Sequence, residues 1–190
     1  MSLKNIMRAK NAWENVLAID PASHSLAWAV INRNKEIVET GKIDLSKFKD
    51  VSVKFESIQS GIKDILEKHT IDYAVIEQSV YIQNFQSSRI ISYIIGFTWG
   101  ILNVYGVKTQ DVSPLMWKPG IGYKNVTKKD QVELEKNGEK GSIQIKMKNE
   151  RKQRVRSIVC AAFGNEIDGI DDDDIVDAIG IGLWYHLTHG

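Results

Sequence analysis

The chain has 190 residues, of which 43% are hydrophobic and 26% charged, with a formal net charge of +1. That is enough chain to bury the core of one average domain, and the composition excludes a disordered, collagen-like or low-complexity protein. A single cysteine, Cys160, excludes an intrachain disulfide and a cysteine-based zinc site and fits a reducing compartment.

Residues 1–13 read as an N-terminal tail without a secretory pattern, and residues 14–190 as one domain. Val16 to Ile19 is a short apolar run that stops at Asp20-Pro21, as a buried strand does. Leu26 to Ile31 is a second strand, apolar on both faces. Asn32-Arg33-Asn34-Lys35 carries turn chemistry, and Glu36 to Ile43 makes a third strand in a hairpin with the second. Phe55, Ile58, Ile62, Ile65 and Leu66 fall at helical spacing and predict a helix over 52–68. Tyr73 to Glu77 is another buried strand that again ends in an acid.

The eighteen residues from Ile90 to Val107 carry no charge. Their serine, threonine, asparagine, tyrosine and glycine content argues against a lipid-facing span. A helix over 87–105 is expected there, its apolar face buried either in the core or in a subunit interface. Val107 to Val112 is a fifth strand. Residues 113–148 combine Pro, Gly and many charges without a stable period and read as a long charged loop. Val155, Ile158, Val159, Ala162 and Phe163 mark one face of a helix ended by Gly164, and a last helix starts among Asp171–Asp174. The order β-β-β-α-β-α-β-α-α predicts an α/β fold with a mixed five-stranded sheet, three antiparallel strands and then parallel ones, flanked by helices.

The charge is unevenly spread. Residues 124–156 hold eleven Lys/Arg against five Asp/Glu, whereas residues 164–177 hold seven acids and no base. Either these are two solvated surface segments, or the first holds a polyanion and the second helps to hold divalent metal. Four acids stand out. Asp20 and Glu77 end the first and fourth strands, which can lie side by side and parallel and so bring both carboxylates to one carboxyl edge. Asp174 and Asp177 are three apart and share a face of the last helix. Individually, Asp20 suits a turn, and acids at 171–174 suit a helix N-terminus. Together they form an oxygen-only set suited to Mg²⁺, with Mn²⁺ as a substitute. Two such ions about 3.5–4 Å apart serve phosphodiester cleavage, one activating water and the other stabilising the leaving 3′ oxygen.

Three stretches resemble the RuvC-type Holliday junction resolvases of the RNase H-like superfamily. They are Val16-Leu17-Ala18-Ile19-Asp20-Pro21-Ala22-Ser23 with the strand after it, Ala74-Val75-Ile76-Glu77-Gln78 through Asn84, and Asp174-Ile175-Val176-Asp177-Ala178. The likeness runs over about residues 16–187, and the long charged loop is most similar to phage-encoded members. The resemblance implies an RNase H-like fold and a Mg²⁺-dependent endonuclease that acts as a symmetric homodimer on branched DNA. The substrates expected are four-way junctions and related forks and flaps, cut in the cytoplasm of a bacterial host. It assigns metal binding and catalysis to Asp20, Glu77, Asp174 and Asp177. It also places a lysine near the scissile phosphate after the fifth strand, matched by Lys118, and another at the start of the next helix, for which Lys152 is the choice.

Two departures from the family pattern are present. Ala22 stands where the family usually has Gly, and Val80 stands where bacterial members carry a junction-wedging aromatic residue, with Tyr81 next to it. The acid pair also admits a competing register, Asp173 with Asp177. Beyond Tyr81, DNA contacts are expected from Lys124, Lys128, Lys129, Lys146, Lys148, Arg151, Arg154 and Arg156, with affinity falling steeply as salt rises. Two alternatives to a junction resolvase are an RNase H-like nuclease on RNA–DNA hybrid or structured RNA, and a non-catalytic branched-DNA-binding protein. An ATP-binding domain of the actin/hexokinase type requires Gly-rich phosphate loops and a second domain, which this chain does not offer.

Overall fold

The computed structural model describes residues 14–79, 85–136 and 142–190. The predicted tail and the Val80–Tyr81 departure lie outside them. Strands β1 (Asn15–Pro21), β2 (Ser25–Asn32) and β3 (Ile37–Asp44) form an antiparallel meander. They are followed by α1 (Val51–Lys68), β4 (Tyr73–Glu77), α2 (Phe85–Val104) and β5 (Lys108–Val112). Helices α3 (Pro114–Gly120), α4 (Lys128–Lys136), α5 (Ile143–Phe163) and α6 (Asp173–His189) complete the described chain, with a 3₁₀ turn at Gly164–Ile167. The sheet order is β3-β2-β1-β4-β5, with β4 parallel to both β1 and β5.

Alternation along the strands sorts the side chains between two cores. Leu17, Ile19, Leu26, Trp28, Ala74 and Ile76 pack with α1 and α2. Val16, Ala18, Ala27, Ala29, Ile31 and Val75 pack with α3, α5 and α6. Asp20 and Glu77 continue the second series, so both carboxylates emerge on the α6 side of the sheet. Helix α6 lies close against the sheet because Gly182 has no side chain. A Cβ there would lie 2.5 Å from Ile31 Cδ1 and 3.3 Å from Ala18 Cβ.

The turn at 32–35 closes as its residues suggest: Asn32 Oδ1 accepts from the backbone N–H groups of Asn34 and Glu36, and Lys35 takes φ 64°. Ala22 needs no left-handed conformation, since Lys35 is the sole non-glycine at positive φ among the described residues. The loop after β1 is instead tied down by Lys54, a buried lysine on α1. Its Nζ donates to the carbonyls of Ser23 and Leu45, both at 2.8 Å.

Residues 113–148 are not the long loop their composition predicts. Helix α3 starts at a Ser113 cap with Pro114 in its first turn, α4 follows Thr127, whose backbone N–H and hydroxyl both donate to Asp130, and Ser142 caps α5. These helices are set by caps and ion pairs, not by an apolar stripe, so periodicity does not reveal them. Helix α2 buries one face in the core and leaves part of the other exposed. Ile91, Ile94, Thr98 and Leu102 are buried, while Phe85, Tyr93 and Val104 are exposed. No helix among the described residues is long and apolar enough to cross a membrane.

Candidate active site

The carboxyl edge of the two central strands carries Asp20 from β1 and Glu77 from β4, and the first turns of α6 bring Asp174 and Asp177 over them. The four acids are close enough to act on one another. Burial first, then the carboxylates of Glu77, Asp177 and Asp174, push Asp20 well above the ordinary carboxylate range, against the pull of Lys118. Burial raises Glu77 to about 7, although a hydrogen bond from Trp117 and the charge of Lys118 work the other way. Asp177 is also raised by burial, with Lys118 and Lys152 opposing. Desolvated carboxylates that repel one another call for a cation.

Three ammonium groups from three elements face this cluster. Lys118 Nζ, from α3, stands 3.8 Å from Asp177 Oδ2 and over the Trp117 ring. Lys152 Nζ, from α5, is 3.2 Å from Asp173 Oδ2 and 4.0 Å from Asp174 Oδ1. Lys42 Nζ, from β3, is 2.8 Å from Asp172 Oδ2 and 2.7 Å from Asp174 Oδ2. The structure thus brings both expected lysines to the acids and adds Lys42, which no motif marks.

Trp117 is a second residue that sequence reasoning missed. Its indole Nε1 donates to Glu77 Oε2 at 2.6 Å while the ring is wholly buried. Its position follows from Gly180 on α6, where a Cβ would lie 2.9 Å from the ring. Adjacency to Lys118 is the one sequence signal that could have drawn attention to it.

Three of the four consecutive aspartates 171–174 make distinct side-chain contacts. Asp172 caps α6, accepting from the Asp174 backbone N–H. Asp173 pairs with Arg156 at 3.0 Å and Lys152 at 3.2 Å. Asp174 and Asp177 are the pair that acts on Asp20. This arrangement favours the register with Asp174 over that with Asp173.

The expected DNA-contacting residues fall into two groups. Lys124, Lys128, Lys129, Lys148 and Arg151 are exposed. Arg154 is taken up by Asp130, Glu150 and the carbonyls of Lys124 and Asn125, and so ties α4 to α5. Arg156 donates to the carbonyls of Ile170 and Asp171 as well as to Asp173, and Lys146 donates to the Leu134 carbonyl. These three are therefore engaged within the protein, because α4 and the turn before α6 present acceptors that a loop reading of 113–148 does not reveal. Tyr81 lies outside the described residues.

No protein-family model matches the chain. It is 30% identical over 124 residues to the crossover junction endodeoxyribonuclease RuvC of Ehrlichia ruminantium (strain Welgevonden), a match covering 62% of this chain and 78% of that protein. The RuvC of Campylobacter hominis is 30% identical over 120 residues, 62% of this chain and 75% of the relative. The chain belongs to the RuvC family. Solved structures agree in fold. Thermus thermophilus RuvC in complex with Holliday junction substrate superposes with a TM-score of 0.69 at 13% identity, over 92% of this chain and 94% of that one. The yeast mitochondrial Holliday junction resolvase Ydc2 gives 0.57 at 12% identity, over 100% of this chain and 88% of that one. The mixed five-stranded sheet expected from the strand order, and the RNase H-like fold that the resemblance implied, are therefore the architecture of this RuvC-family chain.

The donor set fits a hard divalent cation in kind, being carboxylate oxygens at one edge with strong mutual repulsion. Among the described residues, no three such side chains stand, as they are, in an arrangement that would hold one ion. Glu77 Oε2 is bonded to Trp117 and Asp174 Oδ2 to Lys42.

Proposed function

We propose that this chain is a metal-dependent, structure-selective DNA endonuclease that resolves Holliday junctions and related branched DNA, with residues 14–190 as one RNase H-like nuclease domain. The observation that carries the reading is the meeting of Asp20, Glu77, Asp174 and Asp177 at one sheet edge in a RuvC-family chain. These four carboxylates would hold divalent cations, Mg²⁺ or Mn²⁺. Two ions held there would activate a water molecule at neutral pH and relieve charge at the leaving 3′ oxygen.

The chain's own residues do the rest. Lys118 is held over Trp117 beside Asp177, where it can meet a non-bridging oxygen of the scissile phosphate. Trp117 keeps Glu77 oriented through its indole N–H. Lys152 flanks the opposite side at Asp173 and Asp174. Hydrolysis breaks the P–O3′ bond, adds the water oxygen to phosphorus and leaves a 5′-phosphate and a 3′-hydroxyl.

The exposed bases Lys124, Lys128, Lys129, Lys148 and Arg151, with Tyr81, supply DNA contacts, which position a backbone without reading its sequence. A homodimer across the exposed side of α2, where Gly96, Phe97, Gly100 and Val104 line a groove of about 440 Å³, would set two sites on a two-fold-related junction.

The deciding experiment compares the protein with its Asp20→Asn form on labelled four-way junction, fork and linear duplex, with Mg²⁺ or EDTA. Paired symmetric nicks in the junction, lost with EDTA and in the variant, are expected. Cleavage of no DNA substrate would overturn the reading and favour RNA-containing substrates, or binding alone if binding persists.

A further inference from the structure

We infer that Lys42 is a positioning residue for the metal-binding carboxylate Asp174, holding one oxygen of that group so that the other faces the site. This rests on the nuclease reading above. The sheet register delivers Lys42 to the site. It pairs with Ala27 on β2, and Ala27 pairs with Asp20 on β1, so the three residues form one row across the sheet. Directly paired residues on neighbouring strands share a face, so Lys42 rises on the same side as Asp20, two strands away. Ala27 between them is too small to block the path. The lysine side chain, 27% exposed, reaches over it to the first turn of α6.

Three features argue that Lys42 orients Asp174 and does not compete with a cation for it. Lys42 takes Oδ2 alone, at 2.7 Å. Among the described residues Asp174 Oδ1 accepts no hydrogen bond, and Lys152 Nζ stands 4.0 Å from it. Asp172 shares the Lys42 charge at 2.8 Å, so the bridge adds little net positive charge to the site. Asp172 is itself fixed, because it caps α6 through the Asp174 backbone N–H. Lys42, Asp172 and Asp174 therefore form a closed brace between the β3 edge and the start of α6. Hydrogen-bonding partners of metal ligands typically carry 10–100-fold in metal affinity.

The test is Mn²⁺ binding to the DNA-free protein, followed by calorimetry and by the EPR signal of unbound Mn²⁺. Lys42→Met is expected to bind Mn²⁺ about 10–100-fold more weakly than the unaltered protein. Lys42→Arg, which keeps a cation on the same strand, is expected to recover most of that loss. Thermal unfolding in EDTA shows whether each variant is folded. If Lys42→Met does not fold, Asp172→Asn carries the test, since it keeps the lysine but removes its second anchor and is expected to weaken Mn²⁺ in the same direction. Unchanged or tighter Mn²⁺ binding by Lys42→Met overturns the inference, tighter binding marking Lys42 as a competitor. A Lys42→Arg variant as defective as Lys42→Met also overturns it, by assigning the effect to strand packing. No Mn²⁺ binding by the unaltered protein instead overturns the metal-site reading itself.

Discussion

Without metal, this protein should lose stability as the pH rises from about 5 to 8, the opposite of the usual gain. Glu77 is moved from its ordinary 4.5 to about 7 by burial. Between those values the folded chain keeps a proton that the unfolded chain has released, so raising the pH favours unfolding. At about 1.4 kcal/mol per pH unit, Glu77 alone costs about 3 kcal/mol once the pH exceeds its folded value, an upper figure because part of the group meets solvent. Asp20 and Asp177, also raised, add to the loss in the same direction. His186, lowered by burial, opposes part of it below about pH 6.5, whereas Asp172 and Asp173 do not offset it. Burial would raise them, but Lys42 in one case and Arg156 with Lys152 in the other hold them below the ordinary value. The stability they contribute is lost only at pH below about 4. The assay is urea unfolding in EDTA, followed by tryptophan fluorescence, at pH 5 and pH 8. Glu77→Gln keeps an oxygen for the Trp117 N–H, and at pH 8 it should exceed the unaltered protein in stability by up to about 3 kcal/mol while matching it near pH 4.5. Saturating Mn²⁺ should remove most of the pH 5 to 8 loss in the unaltered protein. A stability that is flat or rises over this window, or a Glu77→Gln slope equal to the original, would refute the reasoning.

Other outcomes follow from the same contacts. Asp20→Asn should abolish junction cleavage while retaining binding in a gel-shift assay at low salt, because it removes a metal ligand and relieves carboxylate repulsion. Trp117→Phe should lower the turnover number for junction cleavage at least tenfold and cost about 1–3 kcal/mol in urea unfolding, since it leaves buried Glu77 without its donor; unchanged turnover would remove Trp117 from the machinery. Gly182→Ala should lower stability by about 1–3 kcal/mol in thermal unfolding, because its Cβ would press on Ile31 and Ala18. Replacing Lys128, Lys129, Lys148 and Arg151 by Gln should flatten the salt dependence of junction binding by about 0.9 in log–log slope for each residue that meets a phosphate. An unchanged slope would place the DNA elsewhere.

The apolar runs Val16 to Ile19 and Tyr73 to Ile76, each closed by an acid, determined two buried strands and the ends at which their carboxylates emerge. Local chemistry suffices there, because a strand apolar on both faces has to lie inside a sheet and its first polar residue marks the exit. The i,i+3 spacing of Asp174 and Asp177 likewise set their shared face before any packing was known. Tertiary structure alone decided what those carboxylates touch. Lys42 reaches Asp174 across a residue separation of 132, and Trp117 reaches Glu77 across 40. Neither contact leaves a period or a local motif. The same holds for residues 113–148, where caps and the Arg154 bridge to Asp130 build helices that hydrophobic spacing does not encode. Sequence patterns report which face of an element is buried. Which distant partner meets a polar side chain depends on register and helix placement, and these are settled only when the whole chain packs.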